Sequence, residues 1–143
     1  MAVLGLLTVV SAAAPRAAHA QTTALFFDSQ AGDYVGGGQV ATYTTADASF
    51  TATTTTYGGT TIRLTAPSYL QSWSLTFKAA GAVLLPGPGT YETARRAPFS
   101  ESLNGLDVSG AGRGCNALSG RFVVLEAQYD SAGTVLKLSL IHI

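Results

Sequence analysis

Short runs of alternating apolar and polar residues, separated by turns rich in glycine or proline, make up most of this chain. Trp73, Leu75 and Phe77 alternate with polar residues, which predicts a strand with a core face and a wetted face. No segment keeps a helical period for long enough to predict a helix. Because short strands with a turn signal about every eight to twelve residues are typical of β-sandwiches and jelly rolls, the pattern predicts one all-β domain of that kind.

Two segments give the clearest local predictions. The runs Phe50–Thr56 and Thr61–Thr65 are rich in β-branched residues and flank Gly58-Gly59, which predicts a β-hairpin. The run Phe122–Tyr129 is apolar on both faces, which predicts a central strand between two packed layers. The residues expected in the core are Trp73, Leu75, Phe77, Phe122 and Val124.

Composition narrows the class of protein. The 143 residues are 47% hydrophobic and 11% charged, with eight basic and eight acidic side chains. Globular proteins carry about 25% charged residues, and a chain that replaces them with Thr, Ser, Gly and Ala is typical of extracellular β proteins. A balanced charge without a basic patch argues against nucleic acid as a partner.

Both ends of the chain differ from its middle. Residues 3–14 are an apolar run and Ala18-His19-Ala20 fits a cleavage pattern, which predicts a signal peptide over residues 1–20, although no Lys or Arg precedes Leu4. The run is too short to predict a membrane span. Residues 138–143 resemble a translated sequencing adapter, and the alternative is an ordinary terminal strand. These predictions leave residues 21–137 as an exported domain, extracellular or periplasmic, that is truncated at its C-terminus.

The segment Gly105–Val124 contains five glycines and the only cysteine, and we expect an ordered loop there because glycine allows left-handed or closely approached backbone. Arg113 is expected to donate to carbonyls of a glycine-rich turn. A phosphate-binding loop is disfavoured, because such loops open a helix and this one leads into a predicted strand. The candidate structural residues are Gly112, Arg113, Gly114, Cys115 and Asn116.

Three residues are candidates for ligand binding. Trp73 has the chemistry of a stacking platform for sugar rings, but its alternation with Leu75 and Phe77 favours burial in the core. Arg95 and Arg96 form either an anion site or a solvated surface pair, and the second interpretation is favoured.

The sequence offers little for catalysis. His19 lies in the predicted signal peptide and His142 in the suspected tail, which argues against histidine triads and histidine metal sites. A pair drawn from Glu92, Glu101 and Glu126 remains open for glycosidase chemistry, but no motif selects one. No cofactor is expected.

Several motifs resemble those of an uncharacterised family of bacterial secreted β domains. They are the Trp73–Phe77 strand, the segment Ala94-Arg-Arg-Ala-Pro-Phe99 and the run Gly112-Arg-Gly-Cys-Asn116. The resemblance implies no activity that can be transferred. It does imply a second cysteine just past the strand that begins at Thr134, and so a disulfide between Cys115 and a residue absent from this sequence.

Two functions follow as hypotheses. The first is a non-catalytic extracellular or cell-envelope module with an unknown ligand, either a glycan or a protein. The alternative is a hydrolase that uses carboxylates or a metal and is completed by residues missing from the C-terminus.

Overall fold

The computed structural model describes residues 22–100 and 102–142, and ten β-strands account for most of them. The predicted signal peptide and Glu101 lie outside the described residues. One short 3₁₀ turn, Tyr69–Gln71, is the only helical element in the described part. The strands are β1 Ala24–Asp28, β2 Val40–Thr44, β3 Ser49–Thr54, β4 Thr60–Thr65, β5 Trp73–Lys78, β6 Gly89–Arg96, β7 Gly105–Gly110, β8 Arg113–Gly114, β9 Ser119–Tyr129 and β10 Val135–His142. The predicted all-β class is confirmed.

The strands form one large sheet and one small one. The large sheet has the order β10-β9-β6-β7-β5-β4-β3, with β8 paired to β7. β10 also contacts β3 at the opposite edge, so the sheet curls towards a barrel. β1 and β2 form a separate antiparallel pair, which packs Leu25, Phe27 and Tyr43 against the core of the large sheet. The arrangement lies between a sandwich and a barrel.

The hairpin predicted around Gly58-Gly59 is present. β3 and β4 pair antiparallel from Ser49↔Thr65 to Thr54↔Thr60. This register turns Phe50, Ile62 and Leu64 towards the core and leaves Arg63 on the outer face. A one-residue slip would reverse both sets.

The five residues predicted for the core are all buried. Phe77 and Phe122 are fully enclosed and meet edge to face with ring centroids 5.4 Å apart. Tyr91 stacks on the other side of Phe122 at 4.7 Å. Burial of each such side chain stabilises the fold by about 1.5–3 kcal/mol. The centre of the molecule is therefore an aromatic cluster that joins β5, β6 and β9.

The wetted face predicted for β5 is wrong for two of its three residues. Thr76 and Lys78 are each only 7% exposed. Thr76 exchanges a hydrogen bond of 2.8 Å with Thr61 of β4, and Lys78 Nζ donates to Ser100 Oγ at 3.4 Å. Ser100, in the segment after β6, therefore packs against Lys78, and alternation along one strand cannot show such a contact.

The interpretation of Phe122–Tyr129 as a strand covered on both faces is also wrong. β9 does lie between β6 and β10, and its inner face carries Phe122 and Val124 into the core. Leu125 is nevertheless 50% exposed, so the outer face of the strand is open to solvent at that position.

The end of the described chain belongs to β10. Asp130 Oδ1 accepts from Thr134 N at 2.8 Å and turns the chain, and β10 then runs antiparallel to β9 as far as His142↔Phe122. A position in a strand does not reveal the origin of residues 138–143, so the adapter hypothesis stays a prediction.

Candidate functional site

The glycine-rich segment that follows Gly105 is a β-hairpin. Gly110 of β7 pairs with Arg113 of β8, which leaves a two-residue turn at Ala111 and Gly112. Both turn residues have positive φ, 53° and 73°, the combination that a type I′ turn requires. The predicted ordered loop is therefore confirmed as a tight hairpin, and no helix follows it.

Trp73 closes the hairpin from the inside. A Cβ at Gly110 would overlap the six-membered ring of Trp73, so only glycine fits there. Phe27 packs against Trp73 with ring centroids 4.5 Å apart, and Trp73 Nε1 donates to Tyr43 Oη at 3.4 Å. At 5% exposure the indole is a core residue, as predicted, and it offers no open face for a sugar.

Arg113 reaches the glycine-rich connection between β1 and β2, and the expected donation to carbonyls of a glycine-rich turn stays a prediction. Its guanidinium lies so close to Gly37 that a Cβ on Gly37 would meet Nη1 at 2.9 Å. Its charge also helps to lower the pKa of Asp33. Arg113 thus links the β7–β8 hairpin to the connection between β1 and β2.

Asp33 organises that connection, for which we use the name Asp33 loop (residues 33–38). Its carboxylate accepts from Gly36 N at 2.6 Å and from Ser29 Oγ at 2.8 Å. Hydrogen bonds to the charged form favour it, so the Gly36 amide, followed by the Ser29 hydroxyl, holds the pKa of Asp33 below its ordinary value.

Cys115 and Asn116 have structural surroundings. Cys115 is a half-buried free thiol packed against the core. The carbonyl of Asn116 accepts from Arg96 Nη1 at 3.4 Å. β10 runs back towards the beginning of β9, the direction that the expected disulfide needs, while the bond itself stays a prediction.

Arg95 and Arg96 do not form one site, because successive residues of a strand point to opposite faces. Arg95 is exposed. Arg96 is half-buried, with Nε 3.6 Å from Asp107 Oδ1 and its guanidinium 5.3 Å from the Phe99 ring centroid. Burial raises the pKa of Asp107, and the charge of Arg96 opposes that rise. The pair is therefore neither the anion site nor the solvated pair considered from the sequence.

The structure instead assembles a groove between the β4–β5 connection and the β7–β8 hairpin. Its volume is about 440 Å³, and we call it the arginine–tyrosine groove. Ala111 N donates to Ser72 O at 3.4 Å and ties its two walls together. The side chains that shape it are Arg63, Tyr69, Ser72, Ser74, Ser109 and Arg113.

A polar row crosses the outer face of the sheet into this groove. Arg63 of β4 pairs with Ser74 of β5, and Ser74 pairs with Ser109 of β7. Directly opposed residues have Cβ atoms about 4.5–5.5 Å apart, so the guanidinium stem and the two hydroxyls are neighbours. Tyr69 stands at the rim with its side chain 72% exposed, close to Gly112.

The groove is positively charged. Arg63 and Arg113 line it, and no carboxylate is among its lining residues. Within the described part of the chain, the side chain of Arg63 has no hydrogen-bond or ion-pair partner. Asp33 offsets part of the charge of Arg113 from outside the groove.

Sequence reasoning missed Arg63 and Tyr69 as candidate binding residues. Arg63 stands between the apolar residues Ile62 and Leu64 on a predicted strand. Its place in that alternation puts its charge on the exposed face of the strand, and this could have marked it as a candidate. Tyr69 had no signal, because its place beside Gly112 depends on the meeting of two loops.

A second groove of about 430 Å³ lies between the β3–β4 loop and the β5–β6 connection. Tyr57, Lys78 and Val83 are among its lining residues. Tyr57 is 43% exposed, which makes it a matched reference for Tyr69.

Comparisons with protein-family models, with curated proteins and with solved structures give no match to this chain. The resemblance to bacterial secreted domains therefore rests on sequence motifs alone. Within residues 22–100 and 102–142, no three His, Cys, Asp or Glu side chains are grouped so that they could hold a metal ion. In the same residues no helix is long and apolar enough to cross a membrane.

Proposed function

We propose that this protein is a non-catalytic extracellular module that binds a carbohydrate chain in the arginine–tyrosine groove. The observation that carries the proposal is the exposed Tyr69 ring beside a row of hydroxyl and guanidinium groups. Aromatic rings offer a large apolar face at low entropic cost, and the hydroxyls donate and accept hydrogen bonds. Sugar rings present both kinds of surface, apolar C–H faces and hydroxyl edges.

The position of Tyr69 favours a polymer over a small metabolite. Sites for small molecules usually enclose most of the ligand, whereas Tyr69 stands at an open rim. An extended chain needs contact along one side only, so an open groove with one aromatic ring suits it.

Export is part of the proposal. The apolar residues 3–14, the motif Ala18-His19-Ala20 and the low content of charged residues support it. Secreted protein should begin at Gln21. Edman sequencing of material recovered outside the cytoplasm tests this, and a chain that stays uncleaved in the cytoplasm contradicts it.

Affinity electrophoresis through gels that contain soluble polysaccharides tests the binding function. Tyr69→Ala should weaken retardation by roughly two- to tenfold, the range expected for one lost aromatic contact. Tyr57→Ala removes an exposed tyrosine from the second groove and should leave binding unchanged.

Melting temperatures establish that both variants are folded. If no neutral or acidic polysaccharide retards the protein, the proposed function is wrong. If Tyr57→Ala weakens binding while Tyr69→Ala does not, the site is wrongly assigned.

A further inference from the structure

We infer that the ligand of the arginine–tyrosine groove is an acidic polysaccharide whose sugar rings carry carboxylates, bound through Arg63 and Arg113. The inference rests on the proposed function and names the class of sugar. Its basis is that Arg63, Arg113 and Tyr69 line the same groove, and that no residue with a carboxylate is among its lining residues.

Arg63 is available to a ligand. It lies on the outer face of β4 and is exposed, and its guanidinium has no hydrogen-bond or ion-pair partner among residues 22–100 and 102–142. Ser74 is its direct neighbour across the ladder. A guanidinium binds a carboxylate through two parallel hydrogen bonds, and the Ser74 hydroxyl is placed to bind an adjacent sugar hydroxyl.

Arg113 packs against a loop that is ordered by its own hydrogen bonds. It is half-buried, and its guanidinium lies against Gly37 of the Asp33 loop. The carboxylate of Asp33 is already occupied by Gly36 N and Ser29 Oγ, so these bonds hold the loop that supports the guanidinium. A half-buried side chain that packs against an ordered loop has less side-chain entropy to lose on binding than one in open solvent.

The overall charge of the chain selects a carboxylated polymer over a densely sulfated one. The whole chain has eight basic and eight acidic residues, and removal of residues 1–20 takes away Arg16, which leaves seven basic and eight acidic residues. No wide basic field is therefore expected around the groove. Polyanions with several charges per sugar gain affinity from such a field. A polymer with one carboxylate per ring matches two separate arginines.

The test uses the secreted protein with soluble polymers in titration calorimetry. Polygalacturonate, which has one carboxylate per ring, is compared with the same polymer after full methyl esterification, which keeps the sugars and removes the charge. Binding to polygalacturonate should be at least tenfold tighter, and the difference should shrink as salt is raised.

Substitutions of single arginines test whether the charges that bind the polymer are those of the groove. Arg63→Gln and Arg113→Gln should each weaken polygalacturonate binding by about two- to fivefold, in the range of one exposed ion pair. Arg95→Gln removes an exposed arginine that does not line the groove, and it should change nothing. Arg113→Lys keeps the positive charge but removes the planar pair of guanidinium donors. It replaces Arg113→Gln in the experiment if that variant does not fold.

The outcomes separate this inference from the proposed function. Equal binding of the esterified polymer overturns the acidic ligand and leaves a carbohydrate module standing, whereas binding to neither polymer overturns both. Tighter binding of dextran sulfate than of polygalacturonate overturns the carboxylate assignment. Equal binding of polyglutamate shows that the groove recognises acidic peptides instead, and an equal loss in Arg95→Gln shows that the charge effect is unspecific.

Discussion

Two glycine-rich segments meet at Arg113, and they are held by different forces. In the Asp33 loop a carboxylate gathers the backbone amide of Gly36 and the hydroxyl of Ser29. In the β7–β8 hairpin the backbone pairs with itself, and the ring of Trp73 packs against Gly110. Both segments contain a glycine without room for a Cβ. Behind Gly36 stands the Ser29 side chain together with Phe27, and behind Gly110 stands a buried indole.

The two segments are therefore stabilised by different kinds of interaction. The hairpin depends on an apolar contact, whose strength does not change with pH. The Asp33 loop depends on a charge, although Val35 at 5% exposure gives it one contact with the core. Arg113 bridges the two segments. The hairpin wall of the arginine–tyrosine groove is supported by the buried ring of Trp73, whereas the guanidinium of Arg113 packs against a loop that is held by the titratable carboxylate of Asp33.

The largest expected effect comes from removal of the aromatic support. Trp73→Ala should destabilise the domain by about 3–5 kcal/mol, the usual cost of emptying a buried aromatic site. Trp73 is the only tryptophan, so circular dichroism in urea is the measurement. Trp73→Phe keeps a ring against Gly110 and should cost far less. A loss below 1 kcal/mol in the alanine variant would contradict the placement of Trp73 in the core.

A smaller loss is expected when a methyl group is added beneath the same ring. Gly110→Ala drives a Cβ into the indole and should cost about 1–3 kcal/mol, as overpacking does. Gly36→Ala meets Cβ and Oγ of Ser29 as well as Phe27. Gly36 lies in a loop and not in a β-ladder, so its backbone can shift and the change should cost less. Urea titrations followed by Trp73 fluorescence compare the two variants. Equal losses would show that the hairpin is no more rigid than the Asp33 loop.

Loss of the charge in the Asp33 loop should have a milder effect. Asp33→Asn keeps the shape and one acceptor oxygen but removes the charge-assisted bonds to Gly36 N and Ser29 Oγ. Since the residue is exposed, we expect about 1 kcal/mol or less. Asp28→Asn, on the neighbouring strand β1, is the control. An effect as large as that of Trp73→Ala would mean that the loop and the core unfold together.

Much of the inner face of the sheet could be predicted from the sequence. Two-residue alternation is a local signal, and it correctly placed Trp73, Leu75 and Phe77 in the core. The hairpin around Gly58-Gly59 was equally local.

What could not be predicted depends on contacts between distant segments. β6 pairs with β7 in parallel but with β9 antiparallel, and no local pattern encodes that order. The burial of Lys78 depends on the segment after β6. The candidate site had the same limit, because Tyr69 and Gly112 become neighbours only when two loops meet.

The smallest expected effect is the pH dependence of the Asp33 loop, and it is the most specific. The pKa of Asp33 is lowered in the folded protein, first by Gly36 N and then by Ser29 Oγ. A carboxyl group with a lowered folded-state pKa stabilises the fold above its unfolded-state pKa of about 3.9, and this contribution is lost as the pH falls further. The stability difference between the native protein and Asp33→Asn should therefore be constant near neutral pH and shrink below about pH 4.

The difference between the two proteins is the quantity to measure, because other carboxyl groups also titrate in this range. The pKa of Asp47 and that of Asp130 are lowered, each first by a hydrogen bond, and burial raises the pKa of Asp107. All three groups are present in both proteins, so their contributions cancel. Melting temperatures of the pair, measured from pH 7 down to about pH 3, give the difference directly. If it stays constant over the whole range, the charge of Asp33 does not hold the loop, and the support of Arg113 must come from Val35 and the backbone.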